Sequence, residues 1–503
     1  MSQQKSRGVD LESFDSLELP SMRPGSLLRK FGPGMMLMMT GIGTSHLVTA
    51  PVAGGRYGYA LLWCLPIAYI FKYYGFEMAI RFTHATGRSI LDAYATAWKK
   101  IPVWYVLITT IIQSAVGQAG RLIAAAAVLF YFFRLYLDID IPGLDDDKEL
   151  AFYGLLLGIM SVLIILRGRY AVVELATKIA AGILILCTFA VYVVEPAPVK
   201  EFVHFFQLDA PEGSWLIIAS FLGLLPTGID VSLQASEWGK AKKVGMGKMR
   251  GAIETQGLAT PFDAFKSKKA DLTVDVSRLP AHAQEYCRRW FKIGLIDFRV
   301  GHIISFLLAS IFLMLAAVWL YPSDVSGNAV MGEIAKIFTD SVGPGLMLVF
   351  LAGALAATYS TAFNYFDGWP RVVGACCRNL FRKTAALPRT SRDEIDEHQR
   401  KIWYSEYNIY RISMLFSLVA SVAIIAGVPR PVYLVLIASA LAYFVAPVIF
   451  FLNLYYCLTV IPKDDKVFYP SAFARWFGWL SLVVFTGMSG ILILQRVFGI
   501  ALI

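Results

Sequence analysis

The chain has 503 residues, of which 57% are hydrophobic and 16% charged, and its formal net charge is +10. A soluble domain carries about 25% charged residues, so this composition excludes an ordinary soluble protein and indicates membrane helices. The positive charge does not indicate a nucleic-acid partner, because the basic residues lie in alternate loops and form no groove-reading motif. We expect no cofactor and no enzyme activity, since metal-ligand cysteine spacing, phosphate-binding loops and activated nucleophiles are missing.

Eleven apolar segments follow one another, and each is long enough to cross a lipid bilayer. Only helices or closed barrels satisfy their backbone in lipid, and barrel-like alternation is missing, so we predict an all-α integral membrane protein. The spans, numbered in chain order, are 31–54, 59–83, 103–134, 149–167, 171–194, 214–238, 293–321, 344–376, 409–427, 431–459 and 472–502.

The chain divides into a polar tail (1–30), spans 1 to 6 (31–238), a long loop (239–292) and spans 7 to 11 (293–503). The loop has two interpretations, a small cytoplasmic cap or a disordered linker. Lys and Arg concentrate in the tail and after the even-numbered spans, whereas Asp residues dominate after span 3. The positive-inside rule therefore predicts a cytoplasmic N-terminus and an external C-terminus, in a plasma or bacterial inner membrane. We expect a monomer.

Two spans are interrupted near their middle by small and polar residues. Span 1 breaks at residues 41–46, and span 6 breaks at Pro226-Thr227-Gly228, with Asp230 just beyond. An unwound backbone in hydrocarbon is tolerated only where it is buried in protein or lines a wet cavity. Paired breaks at corresponding places in two halves indicate the binding site of a secondary transporter. Five spans, five spans and one more predict an inverted repeat.

The frame around the first break resembles the Nramp (natural resistance-associated macrophage protein) family of proton-coupled divalent metal transporters. It consists of Gly32-Pro33-Gly34, Gly54, Gly58-Tyr59 and Thr86-Gly87-Arg88, with Tyr170 and Glu174 in span 5 and Thr358-Tyr359-Ser360-Thr361 in span 8. The resemblance implies a LeuT-type fold, with a five-plus-five inverted repeat and broken helices 1 and 6.

The metal-site motifs of that family are replaced in this sequence. The family has Asp-Pro-Gly-Asn in helix 1, where this chain has Gly43, Thr44, Ser45 and His46. The family has Met-Pro-His in helix 6, where this chain has Leu225-Pro226-Thr227. Span 3 offers Gln113 and Gln118 in place of the family's carboxylates. The scaffold is retained, and the chemistry of the site is changed.

The candidate substrate-binding residues lie at the two breaks: Gly43, Thr44, Ser45, His46, Leu225, Thr227, Gly228 and Asp230. His46 and Asp230 are the candidate metal ligands, because imidazole and carboxylate groups bind cations or carry protons. A carboxylate at mid-membrane needs a partner, and His46 is the partner that we predict for Asp230 if spans 1 and 6 cross. The alternative is structural, with both side chains only holding the unwound turns.

The leading hypothesis is an Nramp-related secondary transporter for a divalent cation, with altered substrate and without the family's usual proton coupling. A second hypothesis changes the cargo to a small organic solute, for which small polar residues beside one Asp are equally suitable. A third hypothesis is a receptor or signalling scaffold that moves no solute.

Overall fold

A computed structural model describes residues 14, 16–43, 45–168, 170–194, 196–323, 344–387 and 400–497. Within these ranges the chain is helical and contains no β-strand. Thr44, most of the N-terminal tail and the predicted external acidic residues 324–340 lie outside them. Six helices of the described chain are long and apolar enough to cross a membrane, which makes this a multi-pass membrane protein.

Helices occupy all eleven predicted spans, although the number that cross the bilayer stays a prediction. Their bounds are Pro33–Gly41 and Ala50–Tyr57 in span 1, Cys64–Thr86 in span 2, Ile101–Ile112 and Gln118–Phe130 in span 3, Asp146–Arg167 in span 4, Tyr170–Val194 in span 5, Trp215–Leu224 and Val231–Ala241 in span 6, Ala281–Trp319 in span 7, Pro344–Leu380 in span 8, Glu406–Gly427 in span 9, Pro431–Val460 in span 10, and Ala472–Val497 in span 11.

The helices pack in two groups that place the breaks at the centre. Span 7 packs against both halves of span 1, and span 2 packs against span 7 and the second half of span 6. Span 8 packs against spans 3, 5 and 9, and span 4 packs against spans 3 and 9. Span 10 touches the first half of span 6 and also spans 2 and 3. Span 10 therefore connects the two groups around the interrupted helices.

The loop between spans 6 and 7 is folded, as a cap requires. It contains helix Met246–Thr255. The helix that forms span 7 begins at Ala281, earlier than the predicted 293, because its first turns lie outside the apolar stretch and pack with the loop. Met249 and Ile253 of the loop share a buried apolar cluster with Leu454 of span 10. We name residues 246–280 the cap, and it covers the ends of spans 2, 7 and 10.

Candidate substrate site

The first break separates helix Pro33–Gly41 from helix Ala50–Tyr57. Between them the backbone makes a π-helical turn, Ser45–Thr49, a wide turn that is frequent at functional sites. Gly43 lies so close to span 8 that an added Cβ atom would stand 2.1 Å from the hydroxyl oxygen of Thr361. Small residues in this break therefore permit a close approach between helices.

His46 belongs to the π-helical turn and is fully buried. Its Nε2 atom lies 3.1 Å from the Tyr69 hydroxyl and 3.1 Å from the backbone oxygen of Ser305. The hydroxyls of Tyr69 and Ser305 are themselves 2.6 Å apart. Because a carbonyl oxygen can only accept, Nε2 carries a hydrogen in this arrangement and is not available to a metal ion. The ring thus joins span 1 to spans 2 and 7.

The second break separates helix Trp215–Leu224 from helix Val231–Ala241. Leu225, at the start of the break, has extended backbone and is fully buried. The two breaks touch: a Cβ atom on Gly41 would stand 1.8 Å from the backbone oxygen of Pro226. Spans 1 and 6 therefore cross where both are unwound, as the sequence predicts.

Lys72 of span 2 is the polar group closest to the unwound turn of span 6. Its Nζ atom donates to the backbone oxygens of Gly223, Leu225 and Thr227, at 2.6, 2.8 and 3.2 Å. The side chain is fully buried, with the ring of Phe485 5.4 Å from the amine. The Lys72 amine therefore occupies carbonyl groups that the break leaves without a helical partner.

A second buried cation, Arg121 of span 3, approaches the break from the opposite side. Its Nη1 atom donates to the backbone oxygen of Gly117 at 2.6 Å, and its Nη2 atom donates to the Tyr365 hydroxyl at 3.0 Å. The guanidinium stacks on the Tyr365 ring, 3.8 Å from the ring centre. The same hydroxyl lies 3.3 Å from the Thr227 hydroxyl. Polar contacts therefore run from span 3 through span 8 to the break of span 6.

Asp230 precedes helix Val231–Ala241 and is half-buried. Its Oδ1 atom is buried and forms no hydrogen bond with the residues that the structure describes. A Cβ atom on Gly228 would stand 2.2 Å from this oxygen, so the carboxylate folds back over the glycine. Arg121 and Lys72 are close enough to attract the carboxylate, and the indole of Trp369 lies beside it. Asp230 is therefore an acidic group among basic and aromatic neighbours.

Each of the two predicted metal ligands has other neighbours among the described contacts. His46 contacts Tyr69 and Ser305, and Asp230 lies near Arg121, Lys72 and Trp369, so the pairing of His46 with Asp230 stays a prediction. No group of three His, Cys, Asp or Glu side chains in the described ranges could hold a metal ion. Thr44 and the side chain of Ser45 lie outside the description.

The sequence interpretation missed Lys72 and Arg121, the two basic side chains nearest to the break. A signal for both was present, because an ionisable residue in the middle of a membrane span is costly and indicates function by default. Lys72 and Arg121 are charged residues deep within spans 2 and 3. Neither residue lies on span 1 or span 6, where the family's motif positions predict the site.

Comparisons with known proteins agree with this architecture. A family model described as "Natural resistance-associated macrophage protein-like" matches residues 34–495. An uncharacterised protein of Pasteurella multocida (strain Pm70) is 21% identical over 361 residues, which cover 71% of this chain and 72% of that protein.

Among solved structures, a mutant of the manganese transporter of Eremococcus coleocola is similar, with a TM-score of 0.60 and 13% identity. The similarity covers 96% of this chain and 91% of that one. A nucleobase-cation-symport-1 family transporter, in a closed conformation with bromovinylhydantoin bound, has a TM-score of 0.52 and 12% identity over 93% of this chain and 87% of that one. The family model spans nearly the whole chain, so the protein belongs to the Nramp family of membrane transporters.

Proposed function

We propose that this chain is a secondary transporter of the Nramp family whose central site accepts a solute other than the divalent transition metals. The solute would bind where the broken spans 1 and 6 cross, and would be exposed to each side of the membrane in turn. The family makes metal-ion transport the starting expectation. The altered cargo is our own step, and the Lys72 amine on the carbonyl groups of the break is the observation that carries it.

The packing of the helices supports transport by alternating access. The group made of spans 1, 2, 6 and 7 meets the group made of spans 3, 4, 8 and 9 at the breaks. A five-plus-five inverted repeat produces two helix groups of this kind. Transporters with such a repeat move one helix group against the other around the binding site. Gly43 of the first break approaches Thr361 of span 8, and Thr227 of the second break contacts Tyr365 of span 8, so both breaks lie against the second group.

Electrostatics oppose a divalent cation at this position. A cation at the carbonyl groups of the break would compete with the Lys72 amine for them, and a protonated amine would repel it. Arg121 adds a second positive charge, and Asp230 supplies a single negative one. Leu225 stands where the family has a thioether ligand, so the soft donor that favours transition metals is lost.

The test combines a flux measurement with a measurement of access. The purified protein is placed in liposomes, and Mn²⁺ uptake is followed with an internal fluorescent indicator. In parallel, the variant Thr227→Cys is treated with a membrane-impermeant thiol reagent from each side, and mass spectrometry locates the label. Ala79→Cys is the control, since Ala79 is equally buried but lies on span 2 away from the break.

We expect no saturable Mn²⁺ uptake at micromolar concentration, and labelling of Thr227→Cys from both sides but not of Ala79→Cys. Saturable Mn²⁺ uptake would overturn the proposed change of cargo. If Thr227→Cys reacts from neither side or from one side only, a receptor or scaffold replaces the transporter.

A further inference from the structure

Several polar atoms near Arg121 are buried with incomplete hydrogen bonding. Both amide atoms of Gln113 form no hydrogen bond with the described residues, and Oδ1 of Asp230 and Nε1 of Trp369 have no partner within hydrogen-bond distance, although the Trp369 side chain interacts with the Asp230 carboxylate. Trp369, Gln113 and Arg121 are each at least 97% buried. Unpaired polar groups in the interior of a membrane protein cost several kcal/mol each, so a set of them in one place indicates a missing partner.

These groups converge on one small region. A Cβ atom on Gly117 would stand 2.4 Å from Oε1 of Gln113, 2.7 Å from Nη1 of Arg121 and 3.0 Å from the Trp369 ring. Gly117 is the last residue of a π-helical turn, Gln113–Gly117, which interrupts span 3. This turn packs against spans 9 and 10, and Gly117 lies close to the ring of Trp369. The side chain of Trp369 also interacts with the Asp230 carboxylate.

The region holds one positive and one negative side chain that do not form an ion pair with each other. Arg121 attracts the Asp230 carboxylate more strongly than any other charged group does, yet the described contacts include no bridge between them. Two of the five N–H groups of Arg121 bond to Gly117 and Tyr365, which leaves three for a ligand. Both charges are therefore available to a ligand that carries the opposite pair.

We propose that this site binds a small zwitterionic solute, an amino acid, with its carboxylate on Arg121 and its ammonium on Asp230. The rings of Tyr365 and Trp369, whose centres are 4.1 Å apart, form the wall for the side chain of the solute. The amide of Gln113, which has no hydrogen bond among the described residues, provides further hydrogen bonds. A simple amine meets the repulsion of Arg121, and a simple acid meets that of Asp230. This inference rests on the proposed function and names its cargo.

The test uses ligands that differ by one charged group. Binding to the full-length protein in detergent is measured by calorimetry for phenylalanine, phenethylamine and 3-phenylpropionate, and for leucine, 3-methylbutylamine and 4-methylpentanoate. We expect at least one amino acid to bind ten or more times more tightly than its own amine and its own acid. If neither amino acid exceeds its two analogues, the inference is wrong.

Variants assign each half of the solute to a side chain. Arg121→Gln is expected to reduce the affinity for the amino acid at least tenfold and to raise the affinity for the amine, because its repulsion by Arg121 is removed. Asp230→Asn is expected to reduce the affinity for the amino acid by a similar factor and to raise the affinity for the acid. Trp369→Phe keeps the ring and removes the N–H, so it tests the site if a charge variant does not fold. Lys200→Gln, on an exposed residue, is the control. Equal loss for all three ligands in both charge variants would contradict the assignment.

The two proposals fail in different measurements. Saturable Mn²⁺ uptake argues against the proposed function, whatever the amino acids do. A chain that excludes Mn²⁺ and labels at Thr227→Cys from both sides, yet distinguishes no amino acid from its analogues, remains a transporter and overturns only the zwitterion inference.

Discussion

Gly41 is the residue on which the contact between the two breaks depends most directly. Its backbone is helical, so left-handed geometry is not the reason for a glycine here. The reason is space, because the oxygen of Pro226 stands where a Cβ atom would be. Any larger residue must separate the unwound turns of spans 1 and 6, and the polar site between the helix groups would open with them.

We expect Gly41→Ala to lower stability and to impair transport. A Cβ atom 1.8 Å from the Pro226 oxygen requires a shift of more than 1 Å, and overpacking of this kind costs about 1–3 kcal/mol or more. The measurement is the temperature at which half of the detergent-solubilised protein loses its monodisperse elution peak. Gly182→Ala in span 5 is the matched control, since nothing lies within 4 Å of its added Cβ atom. Equal midpoints for the two variants would contradict this account of Gly41.

His46 illustrates how a plausible site residue acquires a structural role. From the sequence it stands at a ligand position of the family, beside small residues in a broken helix. In the structure its ring is committed to Tyr69 and Ser305. Lys72 instead donates hydrogen bonds to the backbone oxygens of Gly223 and Leu225 at the second break. The chemistry of the site therefore lies on spans 2, 3 and 8 as much as on the broken helices.

At the scale of elements, the first half of span 1 is fixed at its N-terminus by span 7. The carboxylate of Asp297 accepts hydrogen bonds from the backbone amides of Gly32, Gly34 and Met35, each at 2.9 Å. These amides have no partner within their own helix, and a negative charge there also interacts favourably with the helix dipole. Gly34 fits because a Cβ atom would collide with the backbone of span 7. The Gly32-Pro33-Gly34 motif thus has a physical reason.

Replacing Asp297 with Asn should therefore weaken the attachment of the start of span 1 to span 7. An amide side chain has one oxygen, and its NH₂ group would face a backbone N–H, so at least one charge-assisted bond is lost at a cost of about 2 kcal/mol. We expect Asp297→Asn to melt at a lower temperature than the parent in the same elution assay. Asp464→Asn changes an exposed carboxylate and should leave the midpoint unchanged. A midpoint for Asp297→Asn within error of the parent would show that this anchor is dispensable.

Span 5 and the end of span 6 hold the same helix start from another direction. The Nζ atom of Lys242 donates to the backbone oxygens of Lys30 and Phe31, at 2.6 and 2.9 Å, and lies 3.2 Å from a carboxylate oxygen of Glu174. Glu174 also bonds to Lys178 one turn further along span 5. The family resemblance at Glu174 thus corresponds to an ion pair that joins three spans near the start of span 1.

At the scale of the whole molecule, the cap connects span 2 of the first group with span 10 on one face. Arg250 of the cap donates to the backbone oxygen of Thr86 at the end of span 2, at 3.0 Å. Thr273 donates to the backbone oxygen of Val460 at the end of span 10, at 2.9 Å. The cap therefore lies across the face towards which the positive-inside rule directs the basic loops. If that face is cytoplasmic, movement of the helix groups must carry the cap along or release it.

The orientation of the molecule can be tested with two introduced cysteines. Lys266→Cys lies in the cap and Glu212→Cys lies before span 6, and both native residues are exposed. In intact cells a membrane-impermeant maleimide should label Glu212→Cys and not Lys266→Cys, because the basic loops face the cytoplasm. After permeabilisation both should react, which is the control for accessibility. Labelling of Lys266→Cys in intact cells would reverse the predicted orientation.

The sequence by itself determined the helical membrane class, the approximate positions of the spans and the two breaks. These follow from local rules, since a helix in lipid must satisfy its own backbone, and Pro226 with Gly228 two positions later interrupts that pattern. The start of span 7 was misjudged because its first turns are amphipathic and leave the apolar stretch that defines a span. Family membership was also readable, because the glycine frame around span 1 reflects close packing that few residues permit.

Only the tertiary structure decided which side chains form the site. Lys72 reaches carbonyls about 150 positions away in the chain, and Arg121 meets Tyr365 across a separation of 244 positions. No periodicity or spacing encodes such contacts, because they depend on how two groups of helices are placed around a crossing point. The same placement brings Arg121, Lys72 and Trp369 close to Asp230, on helices that the sequence pattern does not connect with span 6.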